Sequence, residues 1–168
     1  MTGRGTRALD AVRAAGVAHA VHEYDPPPPA DPRDRDRRPR YGLDAAAALG
    51  VDPARVFKTL VASVDGRLAA ALVPVHLELD LKALAAALDG RRATLAEPAE
   101  AERATGYVVG GISPFGQRRA LPLVVDASAE GLPTMLVSGG RRGLQLEVAP
   151  GDLVRVTGAR VAAIARRP

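Results

Sequence analysis

The 168-residue sequence contains no cysteine and no tryptophan, and its aromatic residues are three tyrosines and two phenylalanines. The lack of thiols excludes disulfides, cysteine-ligated zinc sites and cysteine nucleophiles. So few aromatic rings also argue against a surface on which nucleic-acid bases stack. A chain of this length can bury a sufficient core without covalent or metal cross-links.

Lysine is also scarce, because Lys58 and Lys82 are the only lysines among 23 basic residues. The remaining basic residues are arginine, and they give a formal net charge of +4 against 19 acidic residues. A chain rich in alanine, arginine and glycine indicates a GC-rich coding sequence, so the positive charge is partly a codon effect, and a nucleic-acid partner stays open as the alternative. Against this background, a lysine is a candidate for a specific role.

The sequence also lacks the signatures of membrane, cofactor and metal binding. No apolar run has the length of a membrane span, and the N-terminus has no apolar signal-peptide core, so we expect a cytoplasmic protein without a membrane partner. The common phosphate, dinucleotide and zinc-protease motifs are absent. His19, His22 and His76 lack metal-ligand spacing, and we expect ordinary surface or hydrogen-bonded histidines with no metal and no cofactor.

The hydrophobic pattern predicts a single α+β domain spanning residues 1–168, with a mainly antiparallel sheet. Helices are predicted over residues 6–16, 43–49, 81–88 and 98–106, with a last helical turn near Asp152. Strands are predicted over residues 17–24, 56–64, 68–73, 107–109, 121–125, 134–137, 144–148 and 161–164. The dipeptide Asp65-Gly66 predicts a tight hairpin turn between two of these strands.

Residues 25–40 interrupt this pattern with four consecutive prolines followed by alternating arginine and aspartate. Because the segment has no apolar face to bury, it is predicted to be a disordered insertion. An arm that contacts RNA is the alternative. The mixture of positive and negative charges favours the solvated insertion.

Lys58 lies in the strand segment VFKTLV (residues 56–61), both faces of which are largely apolar. A charged side chain at such a position must reach water, find a partner or line a cavity. An edge-strand lysine that blocks aggregation is the alternative interpretation. The scarcity of lysine favours a functional role.

Two glycine pairs, Gly110-Gly111 and Gly139-Gly140, each follow a short apolar segment and lie near a serine, Ser113 or Ser138. Glycine allows backbone N–H groups to approach a carbonyl or phosphate oxygen closely. One such pair is explained by an ordinary turn. Two of them, both near serine, favour a shared pocket.

Three segments resemble the YbaK/EbsC family: residues 56–60 (VFKTL), 106–114 (GYVVGGISP) and 137–144 (VSGGRRGL). These proteins are free-standing relatives of the editing domain of bacterial prolyl-tRNA synthetases, and the resemblance runs from about Thr6 to the last residues. It implies a mixed sheet curled into a barrel-like body flanked by helices. It also implies trans-editing, the hydrolysis of the ester between a wrong amino acid, typically cysteine, and tRNA(Pro). The implied partners are mischarged tRNA and prolyl-tRNA synthetase.

The same resemblance assigns the site. It implies catalytic roles for Lys58, Gly110 and Ser138. It implies substrate-binding roles for Tyr24, Tyr41, Thr59, Gly111, Ile112, Ser113, Pro114, Gly139 and Gln145. Thr59 stands where alanine-removing relatives carry asparagine, which indicates the cysteine-specific type. Two features depart from the family pattern: Gln145 stands where an aspartate is common, and the proline/arginine insertion replaces the usual His-Asp-Pro after Tyr24.

The expected mechanism uses no protein nucleophile. Lys58 would hold the aminoacyl ester or the terminal ribose, while backbone N–H groups at Gly110 and Gly111 polarise the carbonyl. In cysteine-specific relatives the thiol of the substrate attacks the ester. Two alternatives remain open: a non-catalytic module that binds tRNA ends or a synthetase, which Gln145 favours, and a deacylase for another amino acid such as alanine.

Overall fold

A computed structural model describes residues 5–28, 33 and 40–168. Its helices are α1 (Arg7–Ala14), α2 (Tyr41–Leu49), α3 (Leu81–Ala87), α4 (Pro98–Thr105) and α5 (Pro150–Thr157). Its strands are β1 (His19–Glu23), β2 (Phe57–Val64), β3 (Arg67–Pro74), β4 (Glu78–Leu79), β5 (Ala93–Leu95), β6 (Leu123–Asp126), β7 (Met135–Ser138), β8 (Leu144–Val148), β9 (Arg160–Ala162) and β10 (Ala165–Arg166). Short 3₁₀ turns cover Pro53–Arg55 and Ala127–Gly131.

The helix boundaries follow from local capping chemistry. Thr6 and Asp80 accept hydrogen bonds from the backbone N–H groups of Leu9 and Ala83, which begin α1 and α3. Gly50 and Gly106 end α2 and α4 in the left-handed conformation, with φ angles of 65° and 80°. These signals act within one helical turn, so the predicted helices are confirmed to within a few residues.

The strands form one mixed sheet and one antiparallel sheet. The five-stranded sheet has the order β5-β2-β3-β6-β9, in which β3, β6 and β9 are parallel and the other pairs are antiparallel. The three-stranded sheet has the order β1-β8-β7 and is antiparallel, while β4 pairs with β10. The predicted α+β class with a mainly antiparallel arrangement is confirmed. A bridge between Val56 and Leu136 joins the two larger sheets.

Strand β2 is buried on both faces, as its apolar pattern predicts. Phe57 and Val61 pack in the larger core cluster, while Ala62 and Val64 belong to a second cluster covered by α3. Strand β5 pairs only with the last part of β2, from Ala62 to Val64. The first part of β2, which carries Lys58, therefore extends beyond β5 and lines a cavity.

The structure corrects three predicted elements. Residues 107–109 do not form a strand, because the N–H of Gly111 turns back to the carbonyl of Val108 and the buried Tyr107 hydroxyl donates to the carbonyl of Phe115. The helical turn near Asp152 is the eight-residue helix α5, and the predicted strand 161–164 lies at Arg160–Ala162. Most of the predicted insertion, at 29–32 and 34–39, lies outside the described residues.

Candidate active site

A cavity of about 630 Å³ opens between the start of α2, the first part of β2, the glycine loop after α4 and the ends of β7 and β8. Its size lies in the range that suits a small ligand. Seven of the predicted site residues line it: Tyr41, Lys58, Thr59, Gly110, Ile112, Ser138 and Gln145. They come from segments far apart in the chain. Of the two predicted glycine pairs only Gly110 lines the cavity, and the second loop is flanked by the lining residues Ser138 and Gln145.

Five other predicted residues do not line this cavity: Tyr24, Gly111, Ser113, Pro114 and Gly139. The buried Ser113 hydroxyl accepts the N–H of Phe115, and Pro114 is also buried. A Cβ at Gly111 would lie 2.9 Å from the Cα of Arg141, and one at Gly139 would lie 2.6 Å from the Leu144 side chain.

These contacts support the cavity wall from behind. Gly111 allows the two loops to pack closely, and Gly139 leaves room for Leu144 within the second loop's own hairpin. The N–H of Tyr24 donates to the carbonyl of Gly143 in the second loop. The N–H of Gly111 donates to Val108, so in this conformation it is not available to polarise a substrate carbonyl. Of the two residues expected to supply N–H donors, only Gly110 lines the cavity.

Lys58 reaches the cavity from a half-buried position. Burial lowers the pKa of Lys58, and the nearby charge of Glu78 opposes this shift in the pKa. Within the described part of the chain, no carboxylate lies within salt-bridge distance of the Lys58 ammonium. A cation that is partly desolvated without a direct partner interacts strongly with an anionic or carbonyl ligand.

The side-chain oxygen atoms of two residues that line the cavity lack hydrogen-bond partners among the described residues. They are Oγ1 of Thr59 and Oε1 of Gln145, and both are buried. Gln145 is only 7% exposed, and it lies opposite the 9% exposed Ser138 in the register of β7 and β8. An unpaired buried acceptor costs about 1–3 kcal/mol, so this wall is suited to a ligand that donates hydrogen bonds.

Gly110 lies where three elements meet at the rim. Its φ angle is 91°, and a Cβ there would approach Nε of Arg142 to 2.7 Å and the ring of Tyr41 to 2.9 Å. The Arg142 guanidinium stacks over the Tyr41 ring at 4.2 Å and donates to the carbonyl of Val109 at 2.8 Å. Sequence reasoning missed Arg142 as a rim residue, although it lies within the GGRRG segment of the second glycine loop.

The other sequence-based expectations concern histidine, metals and membranes. His19 bonds to the carbonyl of Val17, and His22 bonds to Glu147 at 2.8 Å, as expected of ordinary hydrogen-bonded histidines. His76 and Glu78 line the cavity, which nothing in the sequence pattern indicated. Among the described residues no group of side chains could hold a metal ion. None of the helices in the same ranges has the length and apolar character to cross a membrane.

Comparison with known proteins identifies the class of this fold and cavity. A family model described as the aminoacyl-tRNA editing domain matches residues 43–156, which span α2 to most of α5 and supply most of the cavity wall. The chain therefore belongs to the aminoacyl-tRNA editing domain family. This confirms the resemblance inferred from the three sequence segments.

Individual relatives agree with the family match. The chain is 35% identical over 121 residues to EbsC of Enterococcus faecalis, a proposed Cys-tRNA(Pro)/Cys-tRNA(Cys) deacylase. The match covers 71% of this chain and 73% of that protein. It is 38% identical over 104 residues to the proline–tRNA ligase of Moorella thermoacetica, covering 61% of this chain and 18% of the ligase.

Solved structures support the same assignment. The crystal structure of a proposed trans-editing enzyme for prolyl-tRNA synthetase has a TM-score of 0.78 and 27% identity, and the match covers 95% of both chains. The crystal structure of a hypothetical protein has a TM-score of 0.81 and 28% identity, covering 96% of this chain and 100% of that chain. The predicted family fold is confirmed. Among the described residues the two larger sheets, joined by the bridge between Val56 and Leu136, do not close into a continuous barrel.

Proposed function

We propose that this protein is a trans-editing hydrolase that removes cysteine from mischarged tRNA(Pro). One observation carries the proposal: Lys58, Thr59 and Gln145 line the same cavity, and Thr59 and Gln145 each carry a buried oxygen without a hydrogen-bond partner among the described residues. An aminoacyl ester of a terminal ribose offers complementary groups, because its ammonium and hydroxyl groups donate hydrogen bonds and its carbonyl attracts a cation. The names of EbsC and of the trans-editing structure support the choice of substrate.

In the proposed mechanism Lys58 and Gly110 stabilise charge at the ester. The Lys58 ammonium binds the terminal ribose or the ester carbonyl, and the N–H of Gly110 polarises that carbonyl. The negative charge that develops on the carbonyl oxygen is stabilised more strongly in a partly desolvated cavity than in water. Thr59 and Gln145 orient the aminoacyl group through the donors that it carries.

The proposed nucleophile is the thiol of the substrate. The sequence has no cysteine, and the Ser138 hydroxyl accepts the N–H of Gly140 without a histidine bonded to it among the described residues. A serine without a base is a weak nucleophile. The substrate sulfur forms a bond to the carbonyl carbon, the ester C–O bond breaks, and the thiol proton passes to the departing ribose oxygen. The products are free tRNA and a cyclic thiolactone, which water then hydrolyses to cysteine.

The test is deacylation of Cys-tRNA(Pro), Ala-tRNA(Pro) and Pro-tRNA(Pro) by the wild type, Lys58→Ala and Lys82→Ala. Lys82 is exposed on α3 and serves as the matched control. We expect hydrolysis of Cys-tRNA(Pro) to fall about 100-fold in Lys58→Ala and to be unchanged in Lys82→Ala. Unchanged hydrolysis in Lys58→Ala would contradict the role of Lys58.

A second candidate function is a non-catalytic module that binds the aminoacyl end of tRNA. It is favoured by Gln145, an amide at the position where the family commonly has a carboxylate. Tight binding of Cys-tRNA(Pro) by the wild type without turnover would support this candidate and exclude the hydrolase. Preferential hydrolysis of Ala-tRNA(Pro) would instead identify a deacylase for alanine.

The match to segments of two proline–tRNA ligases supports prolyl-tRNA synthetase as a partner of this protein. Co-purification with that synthetase would test this partnership.

A further inference from the structure

Exposed arginines continue from the rim of the cavity across the two glycine loops. Arg142 lies at the rim against Gly110, and the backbone of Arg141 packs against Gly111. Gly140, which precedes Arg141 in the second loop, packs against Thr6 and Tyr107. A Cβ on Gly140 would lie about 3.0 Å from each of these two side chains. The second glycine loop thus joins the cavity rim to the start of α1.

The same surface continues beyond Thr6. A Cβ at Gly106 would lie 2.6 Å from Nη1 of Arg7 and 3.3 Å from Cβ of Arg118, so these two arginines flank Gly106. The N–H of Arg119 donates to Ala104 at the end of α4, which places Arg119 beside them. We call Arg142, Arg7, Arg118 and Arg119 the arginine ridge. All four are exposed.

Several other arginines form salt bridges with carboxylates, whereas the ridge arginines do not. Arg155 and Arg160 form salt bridges with Asp152 and Asp89, at 3.3 Å and 3.2 Å. No carboxylate among the described residues lies within salt-bridge distance of any ridge arginine. Neighbouring cations without counterions raise the local positive potential and attract a polyanion.

We infer that the arginine ridge binds the phosphate backbone of the RNA strand whose 3′ end enters the cavity. This inference rests on the proposed function, which places a terminal ribose beside Lys58. Consecutive nucleotides leading away from that ribose must cross the rim, and the ridge begins there at Arg142. Arginine guanidinium groups pair with phosphate oxygens through two parallel hydrogen bonds. The ridge therefore supplies affinity for RNA, while the cavity reads the aminoacyl group.

The test measures binding of an uncharged RNA hairpin with a single-stranded 3′ end, by fluorescence anisotropy at several salt concentrations. The ridge variant is Arg7→Ala with Arg118→Ala. The control variant is Arg67→Ala with Arg92→Ala, which removes the same charge near the hairpin end of β2, about 20 Å along the strand from Lys58. Thermal unfolding of both variants is measured alongside.

We expect the ridge variant to bind the hairpin about tenfold more weakly and the control variant to bind as the wild type does. The slope of log Kd against log salt concentration should fall by about 0.7–0.9 for each phosphate contact removed. An Arg7→Lys, Arg118→Lys variant keeps the charge and should bind within about threefold of the wild type. If this alanine variant is unfolded, Arg118→Ala with Arg119→Ala replaces it, and weaker binding with a lower salt slope than that of the wild type is the supporting result.

Equal weakening in the ridge and control variants would overturn the inference, and so would unchanged binding in a folded ridge variant. Because uncharged RNA contains no ester, this result does not depend on hydrolysis. Loss of hairpin binding only in the ridge variant, in a protein that does not deacylate any tRNA, would support the ridge and reject the hydrolase. If the wild type is a hydrolase and its ridge variant acts on both Cys-tRNA(Pro) and cysteinyl-adenosine at wild-type rates, the inference about the ridge is rejected and the proposed function stands.

Discussion

Gln145 lies directly opposite Ser138 in the register of β7 and β8, and both side chains line the cavity from nearly buried positions. The Ser138 hydroxyl accepts the N–H of Gly140, whereas Oε1 of Gln145 has no partner among the described residues. The two side chains are equally buried but differ in what they offer a ligand. The free acceptor is that of Gln145.

Replacing Gln145 by leucine should separate stability from function. The leucine variant removes a buried acceptor without a partner, so we expect the free energy of unfolding to rise by about 1 kcal/mol. It also removes a substrate contact, so we expect KM for Cys-tRNA(Pro) to rise about tenfold. Thr59→Val removes the other free acceptor at nearly constant shape and should behave in the same way. A lower stability with unchanged KM would contradict the ligand role.

Gly110→Ala should disrupt the cavity rim. The new Cβ would collide with Arg142 and Tyr41 at a φ angle of 91°, which residues other than glycine rarely adopt. We expect a loss of stability of about 1–3 kcal/mol and a fall in kcat/KM of about tenfold or more. Gly131→Ala is the control, because nothing lies within 4 Å of its Cβ position. Equal effects in the two variants, measured by urea unfolding and deacylation, would show that the rim contacts do not matter.

The protein should lose stability at alkaline pH, where the Tyr107 hydroxyl ionises. Burial raises the pKa of Tyr107 to about 12, although the positive charge of Arg7 acts in the opposite direction. The unfolded chain, with a tyrosine pKa of about 10, releases this proton first. The stabilisation is therefore fully present below about pH 10 and is lost as the pH rises through about 12.

The variant that tests this pH dependence is Tyr107→Phe. It removes the hydrogen bond to the carbonyl of Phe115, which measures 2.6 Å, and should cost about 1–2 kcal/mol at neutral pH. Its stability should then decline less steeply than that of the wild type above about pH 10. Urea unfolding from neutral pH to about pH 12 gives both the loss of stability at neutral pH and its pH dependence. Parallel curves for the two proteins would show that Tyr107 is not responsible.

The substrate thiol should be essential to the proposed reaction. tRNA(Pro) charged with 2-aminobutyrate presents a methyl group in place of the thiol at nearly the same size. We expect its hydrolysis to be about 100-fold slower or more, because the intramolecular nucleophile is lost. Its binding should be nearly unchanged. Rapid hydrolysis of this ester would indicate that water attacks directly, and the thiol mechanism would be rejected while the hydrolase remained.

The sequence motifs predicted only part of the organisation of the candidate site. The family segments named Lys58, Gly110 and Ser138, and the structure places all three at one cavity. The motifs did not separate residues that line the cavity from those that support it, such as Gly111 and Ser113. That separation depends on which backbone and side-chain groups already have partners, and a linear spacing does not record this.

The sequence by itself determined the elements whose signals are local. Capping by Thr6 and Asp80, the Asp65-Gly66 turn and the apolar run of β2 each depend on a few adjacent residues, and the helices, turn and strand predicted there were confirmed. The predicted strand at 107–109 was wrong because Tyr107 is held by a hydrogen bond to Phe115 and packs in the core. There a contact between residues eight positions apart outweighed the local apolar pattern.

Only the tertiary structure decided what the cavity and its surroundings can bind. The unpaired oxygens of Thr59 and Gln145 become significant because folding buries them without partners, although they are 86 positions apart in the chain. The same packing brings Arg7, Arg118 and Arg142 onto one surface. The sequence counts these arginines but does not show which ones have carboxylate partners. Composition alone attributed the positive charge partly to codon usage, whereas its arrangement on the folded protein underlies our inference that it binds an RNA strand.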